Sequence, residues 1–180
     1  GFDLDDVADG ICKKLIYRYP HVFGDVTVSG SGEVLQNWEE LKKREKHQTT
    51  AADSVDSVAR SLPGLWRAEK IQKKAAKVGF DWPDVSGALE KLREEAGELE
   101  EAVREDTNVA EELGDLLFAA VNVARFVKVD PEDALSVACD KFARRFRQVE
   151  ASAAAQGKTL DEMTLAEMDR LWDEGNKQEA

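Results

Sequence analysis

The stretch Asp84–Arg104, DVSGALEKLREEAGELEEAVR, decides how this chain folds. Its apolar residues Val85, Leu89, Leu92, Ala96, Leu99 and Val103 recur at alternating steps of four and three. That is the period of a helix with one apolar face, whereas a strand would alternate every second residue. The stretch that follows repeats the signal, with a stripe of Val109, Leu113, Leu116, Leu117, Ala120 and Ala124. Thr107 or Asn108 stands where that second helix needs a cap.

Working outward, Pro63 leads into GLWRAEKIQKKAAKVG, a helix that Gly79 can stop. Phe80-Asp81-Trp82-Pro83 reads as a turn whose aromatic rings pack the junction. Asp130-Pro131-Glu132-Asp133 combines a cap, an N1 proline and first-turn acids, and predicts a helix to about Ala155, ending near Gly157. Thr164-x-x-Glu167 is a capping box for a last helix carrying Trp172. No segment alternates convincingly, so the expected fold is all-α, a helical bundle.

Composition narrows the class. The 180 residues include 42% hydrophobic and 34% charged side chains with only four prolines, a soluble helical balance. A net charge of −12 argues against binding a nucleic-acid polymer, which selects a basic face. A nucleotide substrate remains compatible, because a bound cation and a few local Lys or Arg residues reverse the field in one pocket. Cys12 and Cys139 are too few for a disulfide scaffold and, in apolar helical surroundings, are expected as buried free thiols. No apolar run reaches ~18 residues and no secretory signal is present, so no membrane is expected and a reducing cytoplasm fits. The chain begins with Gly rather than Met, which suggests a fragment.

The chain also resembles itself. DLDDVADGICKKLIYRY (3–19) aligns without a gap on DPEDALSVACDKFARRF (130–146), pairing Asp3 with Asp130, Cys12 with Cys139, Lys14 with Lys141 and Arg18 with Arg145. Trp38, before a basic run, parallels Trp172 before Lys177. This suggests residues 1–46 as the C-terminal remnant of a first repeat and 62–180 as a second one. Between them, 47–61 is polar, small and weakly patterned, and reads as a linker.

Chemistry concentrates in two acidic clusters, Glu94-Glu95-x-x-Glu98 and Glu112-x-x-Asp115. Residues three and four apart share a helix face, so each cluster projects two carboxylates in one direction. If the two helices pair as an antiparallel hairpin, Glu95, Glu98, Glu112 and Asp115 converge. Carboxylates that close raise one another's pKa unless a cation intervenes, and hard oxygen ligands select Mg²⁺ or Mn²⁺. A solvated acidic face is the alternative; Asp115 before Leu116-Leu117 and Glu98 between Ala96 and Leu99 sit beside apolar stripes instead. Lys141 and Arg145, four apart, can hold a polyphosphate or simply bridge surface acids. Asn122 lies two turns beyond Asp115 and can hydrogen-bond substrate or a ligand carboxylate.

EExxE followed by ExxD, with GDLLFAAVNVAR around the second pair, resembles the MazG-type nucleoside triphosphate pyrophosphohydrolases. The likeness runs upstream through RAEKIQKKAAKVGFDW and downstream through DKFARRFRQVE to LAEMDRLW. KKLIYRYPHVFGDV and VLQNWEELKKRE resemble the end of the first domain of two-domain members. The resemblance implies an all-α enzyme that hydrolyses (d)NTPs to monophosphate and pyrophosphate with Mg²⁺. It puts Glu95, Glu98, Glu112 and Asp115 at metal positions, with Glu94 assisting as an outer ligand or water-orienting base. It also puts Lys141 and Arg145 against the triphosphate and Trp172 against the base. The family often has Lys four residues after that Trp; here Asn176 occupies the place and Lys177 follows.

The function expected is therefore broad-specificity (d)NTP pyrophosphohydrolysis by a homodimer, because a short bundle with large apolar faces needs a partner to cover them. A pyrophosphatase confined to a single nucleotide, or a non-catalytic helical dimerisation module, are the alternatives.

Overall fold

The computed structural model describes residues 1–45 and 49–179, apart from the side chains of Glu39, Lys43 and residues 176–179. Nine α-helices occur among the described residues: α1 (Leu4–Arg18), α2 (Pro20–Phe23), α3 (Ser31–Glu45), α4 (Ala51–Asp56), α5 (Gly64–Ala76), α6 (Val85–Glu105), α7 (Val109–Phe126), α8 (Pro131–Ala155) and α9 (Leu165–Glu179). No strand occurs among them, and the fold is all-α. Two compact units are present: residues 1–62 with 70–81, and residues 63–69 with 82–180.

In the first unit, α1 starts from Asp3, whose carboxylate accepts the Asp6 N–H while Asp6 reaches back to Asp3 N–H. α1 packs on α3, and Arg18 is fastened there by Glu45 Oε2, 2.7 Å from Nη2. The Arg18 guanidinium also lies 5.7 Å from the centre of the Trp38 ring, with Lys42 Nζ at 4.5 Å. Residues 47 and 48 of the expected linker lie outside the described residues, but the rest is partly helical. Thr50 and Asp53 form a capping box for α4, and Lys74 Nζ donates to Ser54 Oγ (2.9 Å) and Ser57 Oγ (3.3 Å). At six residues, AADSVD, the helix is too short to show an apolar period, and this concealed it.

In the second unit, α6 and α7 fold back on each other through a three-residue connection. The line of α6 that is fully covered is Ala88, Glu95 and Ala102, each seven residues from the next. It runs beside the apolar stripe read from the sequence, because small side chains let two helices approach closely. α8 begins as its sequence requires, with Asp130 accepting from the N–H groups of Glu132 and Asp133 and Pro131 at N1. The same Asp130 accepts Trp66 Nε1 at 2.9 Å, tying the start of α5 to the start of α8. Val149 and Ala153 of α8 and Leu171 of α9 form a small core, closed by Leu160, Met163, Met168 and Trp172.

Helix ends follow their chemistry. Gly79 (φ 85°) and Gly157 (φ 73°) take the left-handed conformation, and the next N–H reaches back five residues, from Phe80 to Ala75 and from Lys158 to Ala153. Asp106 (φ 54°) and Lys128 (φ 59°) end α6 and α7 the same way without glycine.

Three expectations need correction. Cys12 and Cys139 are free but exposed, not buried. They sit among apolar neighbours on faces that no other described helix covers, and α1 has no buried residue at all. Phe80 is exposed, and only Trp82 packs the junction, with its ring against Gly87. Asn108 occupies the N-cap position of α7, yet its side chain makes no cap bond.

Candidate active site

The hairpin of α6 and α7 places three carboxylates together. One oxygen each of Glu95, Glu112 and Asp115 lies within 4.8 Å of the others. Glu95 is buried, at 5% relative exposure, in the α6 line between Ala88 and Ala102. Glu112 belongs to the first turn of α7, where the helix dipole favours an anion, and Asp115 follows one turn on, exposed. The amide of Asn108 explains the missing cap: its Nδ2 donates to Glu112 Oε1 at 2.6 Å and fixes that carboxylate instead.

Glu98 is not part of this trio. It is exposed, and its pKa is raised, first by desolvation and then by the neighbouring Glu95 charge. Glu94 is also exposed, and Lys91 Nζ lies 2.7 Å from its carboxylate. The same ammonium lies 2.7 Å from Glu95 Oε1, so one lysine joins both acids. The two ion pairs raise the Lys91 pKa above its ordinary value, with Glu94 as the larger cause. Reading the sequence missed Lys91, although its spacing of three and four to Glu94 and Glu95 is the ordinary signature of helical ion pairs.

The donor set suits a hard divalent cation. All three groups offer carboxylate oxygens. Two oxygens on one octahedral Mg²⁺ lie about 3.0–4.2 Å apart for bonds of about 2.1 Å, within the 4.8 Å bound observed. A buried glutamate among like charges also needs a cation of some kind.

The cationic and aromatic residues stand on other elements. Lys141 is exposed on α8; Arg145, one turn on, lies with its guanidinium carbon 5.9 Å from the centre of the Trp172 ring. Trp172 is half-buried against the small core and meets Phe142 at a centroid distance of 5.2 Å. Asn122 is buried on α7, where its Oδ1 accepts from Arg125 Nε (3.0 Å) and Nη2 (2.7 Å). The Lys177 side chain lies outside the described residues.

Comparison with known proteins gives this site a family. A family model described as the MazG nucleotide pyrophosphohydrolase domain matches residues 85–150. A nucleoside triphosphate pyrophosphohydrolase of Escherichia coli (strain K12) is 42% identical over 182 residues, covering 99% of this chain and 69% of the relative. The chain belongs to the MazG family. It is thus an enzyme of a class that hydrolyses acid anhydrides. Another MazG relative, the nucleoside triphosphate pyrophosphohydrolase/pyrophosphatase MazG of Thermotoga maritima, is 40% identical over 96% of this chain and 65% of its own length. The protein YabN of Bacillus subtilis is 50% identical over 99% of this chain, which spans 37% of that relative. The span matched to the MazG domain holds all five acids, Asn122, Lys141 and Arg145; Trp172 falls beyond it. No helix among the described residues is long and apolar enough to cross a membrane.

Proposed function

We propose that this MazG-family chain hydrolyses (d)NTPs of several bases to the monophosphate and pyrophosphate, with Mg²⁺ (or Mn²⁺) at the acidic site. The observation that carries this reading is the convergence of Glu95, Glu112 and Asp115 within the hairpin matched to the family domain. These three residues would hold the ion, with Glu98 one turn from Glu95 as a further ligand. Once bound, Mg²⁺ neutralises phosphate charge and lowers the pKa of water.

The protein's own groups supply the remainder. Asn108 orients Glu112 through its 2.6 Å hydrogen bond, and the burial of Glu95 limits its conformational freedom. Glu94 serves as the outer acid that orients the attacking water. Water attacks the α-phosphorus, the bond from that phosphorus to the bridging oxygen breaks, and pyrophosphate leaves. Lys141 and Arg145 steady the triphosphate, Arg by its planar fork and Lys as a point charge. Trp172 stacks on the base, and Asn122 and Lys177 complete the substrate set. Holding the α-phosphate rigidly against the water contributes through orientation more than through any covalent step.

We also propose a homodimer. Leu113, Leu117 and Phe118 of α7 are each more than 40% exposed, and α8 exposes Leu135, Val137, Phe142 and Phe146. Apolar area of that extent is the kind that a partner covers. Residues 62–180 then act as the catalytic repeat and 1–46 as the end of a preceding one, in a reducing cytoplasm that keeps both exposed thiols free.

Anion-exchange analysis of products from dATP, dCTP, dGTP, dTTP and UTP with Mg²⁺ tests the activity. Monophosphate and pyrophosphate, lost in Glu112→Gln and in chelator, is the expected result. Diphosphate and orthophosphate would refute the bond assignment. One strongly preferred base in competition would refute broad specificity. A monomer by sedimentation at micromolar concentration would remove the dimer.

A further inference from the structure

Lys91 is a cation at the acidic site to which the metal-site reading gives no role. Its Nζ lies 2.7 Å from Glu95 Oε1 and 2.7 Å from Glu94 Oε1. The two acids differ sharply: the Glu95 side chain is 7% exposed and that of Glu94 57%. Glu95 is at the same time the buried member of the trio with Glu112 and Asp115. A buried carboxylate among like charges is costly without a counter-charge, and Lys91 supplies one from a turn away on α6.

We propose that Lys91 is a tethered counter-cation, neutralising Glu95 while the site holds no divalent ion and giving up Glu95 to that ion when it binds. The inference rests on the metal-site reading above and adds a competitor built into the same helix. Two positive groups drawn to one carboxylate oppose each other, and at a partly buried site that repulsion is only partly screened. Glu94 gives Lys91 somewhere to go. Its carboxylate is already bonded to Nζ and stands in solvent, so the lysine can pair wholly with Glu94 when it leaves Glu95. A flexible stem with a compact head suits this movement; a planar arginine fork would not release one oxygen so readily.

The competition has a clear thermodynamic signature. Breaking one partly exposed ion pair opposes ion binding by about two- to fivefold in affinity. Removing the lysine therefore tightens ion binding while weakening the ion-free protein, two changes of opposite sign that general damage to the fold cannot produce.

The experiment uses Mn²⁺ alone, titrated calorimetrically into the whole chain, together with the thermal midpoint without metal. Lys91→Met should lower the metal-free midpoint and bind Mn²⁺ about two- to fivefold more tightly than wild type. Lys91→Gln, which can still donate to both acids, should fold readily and shift affinity in the same direction. Equal or weaker Mn²⁺ binding in both variants overturns the inference and makes Lys91 an orienting partner of Glu95. Wild-type binding that Glu112→Gln leaves unchanged, or no wild-type binding at all, overturns the metal site itself and the inference with it.

Discussion

Replacing Gly87 with alanine sets two effects of opposite sign against each other. Gly87 lies near the start of α6, where alanine should stabilise the helix by up to about 1 kcal/mol. A Cβ at that position, however, would stand 2.2 Å from Cδ1, 2.6 Å from Cγ and 2.8 Å from Nε1 of Trp82. No real contact is that short, so the indole must leave. Trp82 is 40% exposed where it lies, and swinging out returns ring surface to water. If roughly 60–100 Å² is uncovered at about 25 cal/mol per Å², the loss is about 1.5–2.5 kcal/mol. The steric effect wins, and Gly87→Ala should destabilise by about 1 kcal/mol, lowering the midpoint by about 2–4 °C. Urea unfolding of Gly87→Ala, Trp82→Ala and the double variant closes a cycle. In the Trp82→Ala background the same glycine change should reverse sign and stabilise. A stabilising effect in the wild-type background would refute the contact.

Further predictions follow from single contacts. Lys128 ends α7 in the left-handed conformation (φ 59°), which costs a side chain about 1–2 kcal/mol, so Lys128→Gly should raise stability by about 0.5–1 kcal/mol in thermal unfolding. Asp130→Ala removes both the cap of α8 and the acceptor of Trp66 Nε1, and should cost about 1–2 kcal/mol with a change in tryptophan emission. Lys158, through its side-chain hydrogen bond, and then Thr164 hold the Glu167 carboxyl down from 4.5 to about 2. Because the folded pKa is lowered, its stabilisation is present above pH 4.5 and disappears as pH falls towards 2. The stability gap between wild type and Glu167→Gln should close across that window, and a gap independent of pH would contradict the assignment.

Much of the fold was legible because helix ends are chemically local. The Asp130-Pro131 start, the Thr164-Glu167 box and the glycine ends at 79 and 157 all depend on residues within one turn. The acids of the site were legible for the same reason, since spacing on a helix fixes which of them share a direction. What escaped depends on the distance between helices. Periodicity marks an apolar face, but close packing selected the neighbouring line of Ala88, Glu95 and Ala102, so Glu95 is buried while Glu98 and Asp115 are exposed. Nor could sequence show that Asn108 would give up its cap for Glu112, because both bonds lie within its reach. The exposed cysteines mark the limit of the hydrophobic argument: apolar surroundings in sequence bury a residue only where another layer covers them.

Among the described residues arginine lies over tryptophan twice, as Arg18 on Trp38 and as Arg145 on Trp172. Only the second belongs to the unit that contains the acidic trio. The molecule therefore contains its own internal control. Whatever Trp38→Leu does to stability measures the contact as packing alone. If Trp172 contacts substrate as proposed, Trp172→Leu should alter nucleotide turnover as well as stability, whereas Trp38→Leu should alter stability alone.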